Sequence, residues 1–187
     1  MYEVEVKVPA DLEAVRERLE ALGAEHENTV VQADTYYDAP HRSFPDTDEA
    51  LRIRRESTSE TDESESRVTY KGPLLDDESK SREEHETGVA DGETMDAVLT
   101  NLGFEPAATV RKEREHFHLT LEAHDFAYTI TLDSVDDVGE FVEVETDVEH
   151  EGALEPAREG AYAVLERLDL EPDDQLRTSY LGLLLES

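Results

Sequence analysis

The strongest constraint on this chain is a two-residue alternation whose polar positions are charged. Residues 2–8, Tyr-Glu-Val-Glu-Val-Lys-Val, put Glu3, Glu5 and Lys7 on one face of a strand and Val4, Val6 and Val8 on the other. Successive side chains of an extended chain point to opposite sides, so the two sets never mix. The same split recurs. Arg52 and Arg54 oppose Leu51 and Ile53; Thr69 and Lys71 oppose Val68 and Tyr70; Thr131 and Asp133 oppose Ile130 and Leu132; Glu143 and Glu145 oppose Val142 and Val144. Arg82, Glu84 and Glu86 form another row, as do Lys112 and Arg114.

Periodicity predicts strands over 2–8, 29–38, from Leu51 onward, 67–72, 82–89, 108–121, 125–135 and 140–149. Helices are expected from Asp11, a capping residue, to a stop at Gly23, and over 92–102 with a stop at Gly103. Two more are expected at 153–168 and 178–186. Residues 39–49 read as a Pro-containing loop, and 76–81 as a polar one. Residues 57–66, which contain no apolar side chain, read as a solvated hairpin tip. Eight strands suffice to close a barrel, and no linker divides the chain, so residues 1–187 are read as one domain.

Composition decides between two meanings of the charged faces. The chain carries 49 acidic and 17 basic residues, a net charge of -32. Such an excess excludes sequence-independent binding to nucleic acid or to anionic lipid, which need a basic surface. The absence of cysteine removes disulfides, thiolate nucleophiles and Cys-ligated zinc. No apolar run approaches the roughly 20 residues that cross a bilayer, and the acidic start is unlike a signal peptide, so a cytoplasmic location is expected. The acidity fits adaptation to molar salt, where screening removes self-repulsion between surface carboxylates. Circular dichroism is therefore expected to show loss of structure between about 2 M and about 0.05 M KCl. An unchanged spectrum and melting curve would contradict this.

An acidic protein that merely wets one sheet face would fill it with Asp and Glu. Here Lys7, Arg52, Arg54, Lys71, Arg82, Lys112 and Arg114 all fall on the charged rows. If the sheet closes, the rows line a lumen of cations and carboxylates, costly to bury unless ligands and metals compensate them. Arg forks, Lys and carboxylate-bound Mg²⁺ or Mn²⁺ together suit a polyphosphate. His116 and His118, two apart on a strand, lack a third ligand and are set aside as a metal pair. No Gly-rich phosphate loop is present.

Glu3-x-Glu5-x-Lys7 resembles the ExExK signature of the CYTH superfamily, the triphosphate tunnel metalloenzymes, named for class IV adenylate cyclases of the CyaB type and thiamine triphosphatases. The resemblance spans essentially the whole chain. It takes in Asp34-Thr35-Tyr36-Tyr37-Asp38, Leu51-Arg52-Ile53-Arg54, Thr69-Tyr70-Lys71-Gly72-Pro73, Lys112-x-Arg114, Leu132-Asp133 and Phe141-Val142-Glu143-Val144-Glu145. Phe44 to Arg54 and Arg177-Thr178-Ser179-Tyr180-Leu181 are most similar to the archaeal CyaB-type branch.

The resemblance implies an α+β fold, an eight-stranded antiparallel β-barrel open as a tunnel with helices packed outside. It implies that Glu3, Glu5, Asp133, Glu143 and Glu145 hold one or two Mg²⁺ or Mn²⁺ ions, directly or through water. Arg52, Arg54, Lys71, Arg82, Lys112 and Arg114 then bind phosphates, and Lys7 contacts them or orients Glu5. Tyr36 and Lys71 act together as the base in a hydrolytic reaction if surrounding cations depress the Lys71 pKa; Tyr36 and Tyr37 packing and hydrogen-bonding at the barrel wall is an equal alternative. The substrate is a triphosphate: ATP, tripolyphosphate or thiamine triphosphate. Adenylate cyclase is favoured by the branch, with a triphosphatase and a non-catalytic triphosphate-binding module as alternatives. A homodimer is also implied, with the apolar Tyr180 to Leu185 segment contributing to it.

Overall fold

Eight antiparallel strands close on themselves in the computed structural model, which describes residues 1–58, 64–120 and 126–187. They are β1 (Tyr2–Pro9), β2 (Glu25–Asp38), β3 (Ala50–Thr58), β4 (Ser64–Leu74), β5 (Arg82–Val89), β6 (Glu105–Thr120), β7 (Ala127–Val135) and β8 (Gly139–Val148). Around the barrel they run β1-β5-β4-β3-β2-β6-β7-β8. The helices among the described residues are α1 (Leu12–Ala21), α2 (Phe44–Thr47), α3 (Gly92–Asn101), α4 (Leu154–Arg167) and α5 (Tyr180–Glu186). The expected antiparallel barrel with outer helices is the fold of the chain.

Alternation works as anticipated on both walls. The outward rows Val6, Val8, Ile130, Leu132, Val142 and Val144 are buried under Leu12, Val15 and Leu19 of α1 and Ala161, Val164 and Leu165 of α4, and Val4 packs with Val148 and Ala157 of α4. Each such aliphatic side chain removed from water contributes about 1.5–3 kcal/mol, so this outer layer, not the lumen, is the hydrophobic core. Tyr128 donates from Oη to the Ala157 carbonyl at 3.0 Å. A Cβ on Gly160 would lie 1.8 Å from that hydroxyl, so only glycine lets α4 sit this close to β7. On the far side, Met95 and Leu99 of α3 cover Tyr37, Leu51 and Ile53. The helix stops at Gly23 and Gly103 are real: both have positive φ, 72° and 96°.

Several boundaries differ from expectation, each for a physical reason. α2 lies in the segment read as a loop; four residues are too few to show a helical period, although Pro45 suits a first helical turn. β2 starts early because the exposed Glu25 and His26 still pair in the ladder with His118 and Phe117, and β6 because Glu105 and Pro106 pair with Asp38 and Tyr37. β3 and β4 run further into the anticipated hairpin tip, of which 59–63 lie outside the described residues. α5 packs over one end of the barrel: Tyr180 is buried with Val110, Val135 and Phe141, and the partly buried Leu181, Leu183 and Leu184 pack against them. Leu185 alone of that segment is well exposed, at 65%.

Candidate active site

The inward rows line a cavity of about 720 Å³ with two electrostatic poles. The acidic pole follows from strand register. In the β1–β8 ladder Glu3 faces Asp147, Glu5 faces Glu145 and Lys7 faces Glu143. Like charges directly opposite one another destabilise a ladder on their own. Glu3, Glu5 and Glu145 each aim a carboxylate oxygen at a common point, all within 4.8 Å of one another. Burial pushes the Glu145 carboxyl up to about 8, and Glu3, Glu143 and Glu5 add to the rise against the pull of Arg114. Three convergent oxygens at this cost fit a hard divalent cation of the Mg²⁺ or Mn²⁺ type.

The basic pole is built from ion pairs across neighbouring strands. Arg54 grips Asp34 through two bonds of 2.7 Å, and Arg52 reaches the same carboxylate at 3.4 Å. Burial alone would raise Asp34; Arg54 and Arg52 outweigh it and hold the carboxyl well below the usual range. Its contribution to stability is therefore complete above about pH 4, the ordinary Asp value, and is lost as pH falls further. A denaturant midpoint that falls as pH is lowered below about 4, and falls less in Asp34→Asn, is the expected result.

Asp133, fully buried, accepts from Arg114 Nε at 2.6 Å, Lys112 Nζ at 3.1 Å and Tyr180 Oη at 2.8 Å. Glu143 bonds Arg114 as well. The five carboxylates expected to hold metal are thus divided. Glu3, Glu5 and Glu145 converge, while Asp133 and Glu143 are engaged by Arg114 and Lys112.

Arg52, Arg54, Lys71, Arg82, Lys112 and Arg114 all line the cavity. Lys7 is displaced from that group: its Nζ donates to the Thr178 carbonyl at 2.6 Å and lies 4.2 Å from the centre of the Tyr180 ring. Burial, with Lys80 nearby, lowers Lys7 to about 7 against the pull of Glu143 and Glu5. Tyr36 lines the cavity toward the α5 end and packs on the apolar cluster there.

The expectation of a depressed Lys71 is overturned. Burial and Arg52 act downward, but Glu3, in direct contact, and Glu84, at 2.8 Å, outweigh them and raise it above the ordinary lysine value. With those carboxylates beside it, Lys71 is held in its cationic form. His116 and His118 do not form a pair; they bond Asn28 and Glu27, each at 2.7 Å.

Three participants had not been assigned a role from sequence. Asp34 and Tyr180 lay inside quoted motifs, and their positions in the network follow only from the fold. Lys80, from the polar loop before β5, lines the cavity and pairs with Glu5 at 2.6 Å. A signal for it exists: the chain has only four lysines, at 7, 71, 80 and 112, and the other three had already been placed on lumen rows.

The CYTH domain family profile matches residues 1–180. The chain belongs to the CYTH family. A Methanocaldococcus jannaschii protein provisionally named an adenylate cyclase is 36% identical over 98% of each chain. A solved structure from Pyrococcus horikoshii OT3 superposes with a TM-score of 0.87 at 37% identity, covering 98% of each chain. At 16% identity, a provisionally named adenylyl cyclase from Hippeastrum, described as having a dominant triphosphatase activity, shares the fold with a TM-score of 0.66, covering 99% of this chain and 95% of its own. CYTH membership places the chain among enzymes. No helix among the described residues is long and apolar enough to cross a membrane.

Proposed function

We propose that this CYTH chain is a divalent-metal-dependent enzyme acting on a triphosphate inside its barrel, and that the reaction is that of a class IV adenylate cyclase, ATP to cyclic AMP and pyrophosphate. The observation that carries this reading is the juxtaposition of the Glu3, Glu5 and Glu145 carboxylates with the cavity-lining cations in one lumen. A module that only captured anions would need the cations alone. Fidelity to the adenylate cyclase reaction is supported by the relative 36% identical along the whole chain.

In this reading Arg52, Arg54, Lys112 and Arg114 hold phosphate oxygens, with the guanidiniums offering forked donors and the lysines point charges. Asp34 and Asp133 fix those side chains in place, so little ordering remains to be done when substrate enters. Lys71 and Arg82 complete the cationic wall. Glu3, Glu5 and Glu145 would hold a divalent ion, which would neutralise charge developing on the leaving phosphates. The ribose 3′-oxygen bonds the α-phosphorus as the α–β anhydride bond breaks; the hydroxyl proton passes to water and pyrophosphate leaves. A triphosphatase releasing orthophosphate is the second reading, favoured by the shared fold of the Hippeastrum protein. A cytoplasmic location accompanies either.

Phosphorus NMR of products separates the two. With protein in molar KCl and Mg²⁺ or Mn²⁺, ATP is expected to give cyclic AMP and pyrophosphate in equal amounts. Orthophosphate from tripolyphosphate, with ATP spared, would replace the cyclase by the triphosphatase.

A further inference from the structure

The loop between β4 and β5 is tied down far more firmly than a surface connection requires. Asp76 Oδ1 accepts from the backbone of Glu78 and Ser79, each at 2.9 Å. From α4, Arg158 pairs with both Asp76 and Glu78, and Tyr162 Oη donates to the Glu78 carbonyl at 2.7 Å. Gln175 Nε2 reaches the same carbonyl at 3.0 Å. The product of this clasp is the placement of one side chain. The Lys80 backbone N–H donates to the Glu5 carbonyl at 3.1 Å, and its Nζ reaches into the cavity to Glu5 Oε1 at 2.6 Å.

Glu5 is thus shared. It is one of the three carboxylates that converge on the divalent-cation position, and it is also the resting place of an ammonium. A doubly charged ion attracted to Glu5 repels an ammonium held against the same carboxylate. The lysine stem is flexible and its head can turn into the cavity without any movement of the clasped backbone. There a triphosphate offers the negative charge that Glu5 no longer provides.

We propose that Lys80 is a phosphate-binding residue held on Glu5 at rest, released into the lumen when the divalent ion takes Glu5 and received there by the triphosphate. This rests on the metal and triphosphate reading of the lumen. Its consequence is coupling between the two ligands: the ion loses a competitor's place on Glu5, and the phosphate gains a cation, only when both are bound.

The test is a pair of affinities in Lys80→Gln, neither of which is turnover. Mn²⁺ binding to the protein without phosphate, followed by electron paramagnetic resonance, is expected to tighten by about fivefold or more. Binding of the hydrolysis-resistant imidotriphosphate at saturating Mn²⁺ is expected to weaken by about tenfold. Lys80→Arg, which keeps the charge, should restore the second affinity in large part, and a melting curve confirms that each variant is folded. An ion pair that only holds Glu5 would leave imidotriphosphate affinity unchanged, so unchanged imidotriphosphate binding, or unchanged or weaker Mn²⁺ binding, in folded Lys80→Gln overturns the proposal. If the wild-type protein binds neither Mn²⁺ nor imidotriphosphate, the lumen reading itself falls and the proposal with it.

Discussion

Glu5→Gln is expected to lower divalent-dependent turnover by about 10²–10⁴-fold while leaving the barrel folded. Glu5 contributes one of three convergent carboxylate oxygens, and no other acidic side chain among the described residues joins that group. A metal's stabilisation of developing charge amounts to several kcal/mol, and each 1.36 kcal/mol is tenfold in rate. The amide keeps the shape and can accept from Lys80, so the fold has little reason to suffer; removal of one carboxylate also relieves the like-charge pair with Glu145 across the ladder. Activity and a melting curve measured side by side check both halves. Retained turnover in Glu5→Gln and in Glu145→Gln would mean that the reaction does not use this pole of the lumen.

Asp133→Leu is expected to do the reverse, costing stability and not metal affinity. Asp133 is completely buried and compensates Arg114 and Lys112 together. Taking one partner from a buried ion pair leaves an uncompensated charge and costs about 3–5 kcal/mol. For a chain of this size that corresponds to a drop in melting temperature of roughly 10 °C. Because these groups are buried, molar salt should weaken the effect less than it does that of surface charges. Mn²⁺ affinity of the folded variant should stay within about threefold of wild type. A large loss of Mn²⁺ affinity with an unchanged melting temperature would make Asp133 a metal ligand after all.

The contrast between Glu5 and Asp133 shows where sequence reasoning reached and where it stopped. Alternation placed both on inward rows, because a strand fixes which face a side chain takes. It could not say which charged side chains meet, since that depends on the register between strands: Arg114 meets Asp133 through the β6–β7 ladder, and Glu5 meets Glu145 through β1–β8. The same limit explains Lys71. Its neighbours were taken to be cations, whereas the β4–β5 register sets Glu84 opposite it and Glu3 within contact.

Segments without a period were less legible. α2 is a single turn, and the loop carrying Lys80 has no alternation to betray an inward residue. Its position is decided by long-range contacts from Arg158, Tyr162 and Gln175, 82 to 97 residues from the loop residues they bond. For α5, the apolar residues near the C-terminus pack on the end of the barrel, a surface that only the closed fold reveals.

The most direct test of metal-dependent triphosphate chemistry in the lumen is the anomalous scattering of Mn²⁺ in crystals grown with imidotriphosphate in molar salt. The expected result is a manganese peak about 2.1 Å from oxygens of Glu3, Glu5 and Glu145, with the triphosphate inside the barrel against Arg52, Arg54 and Arg114. Manganese away from those three carboxylates, or a triphosphate bound outside the barrel, would contradict it.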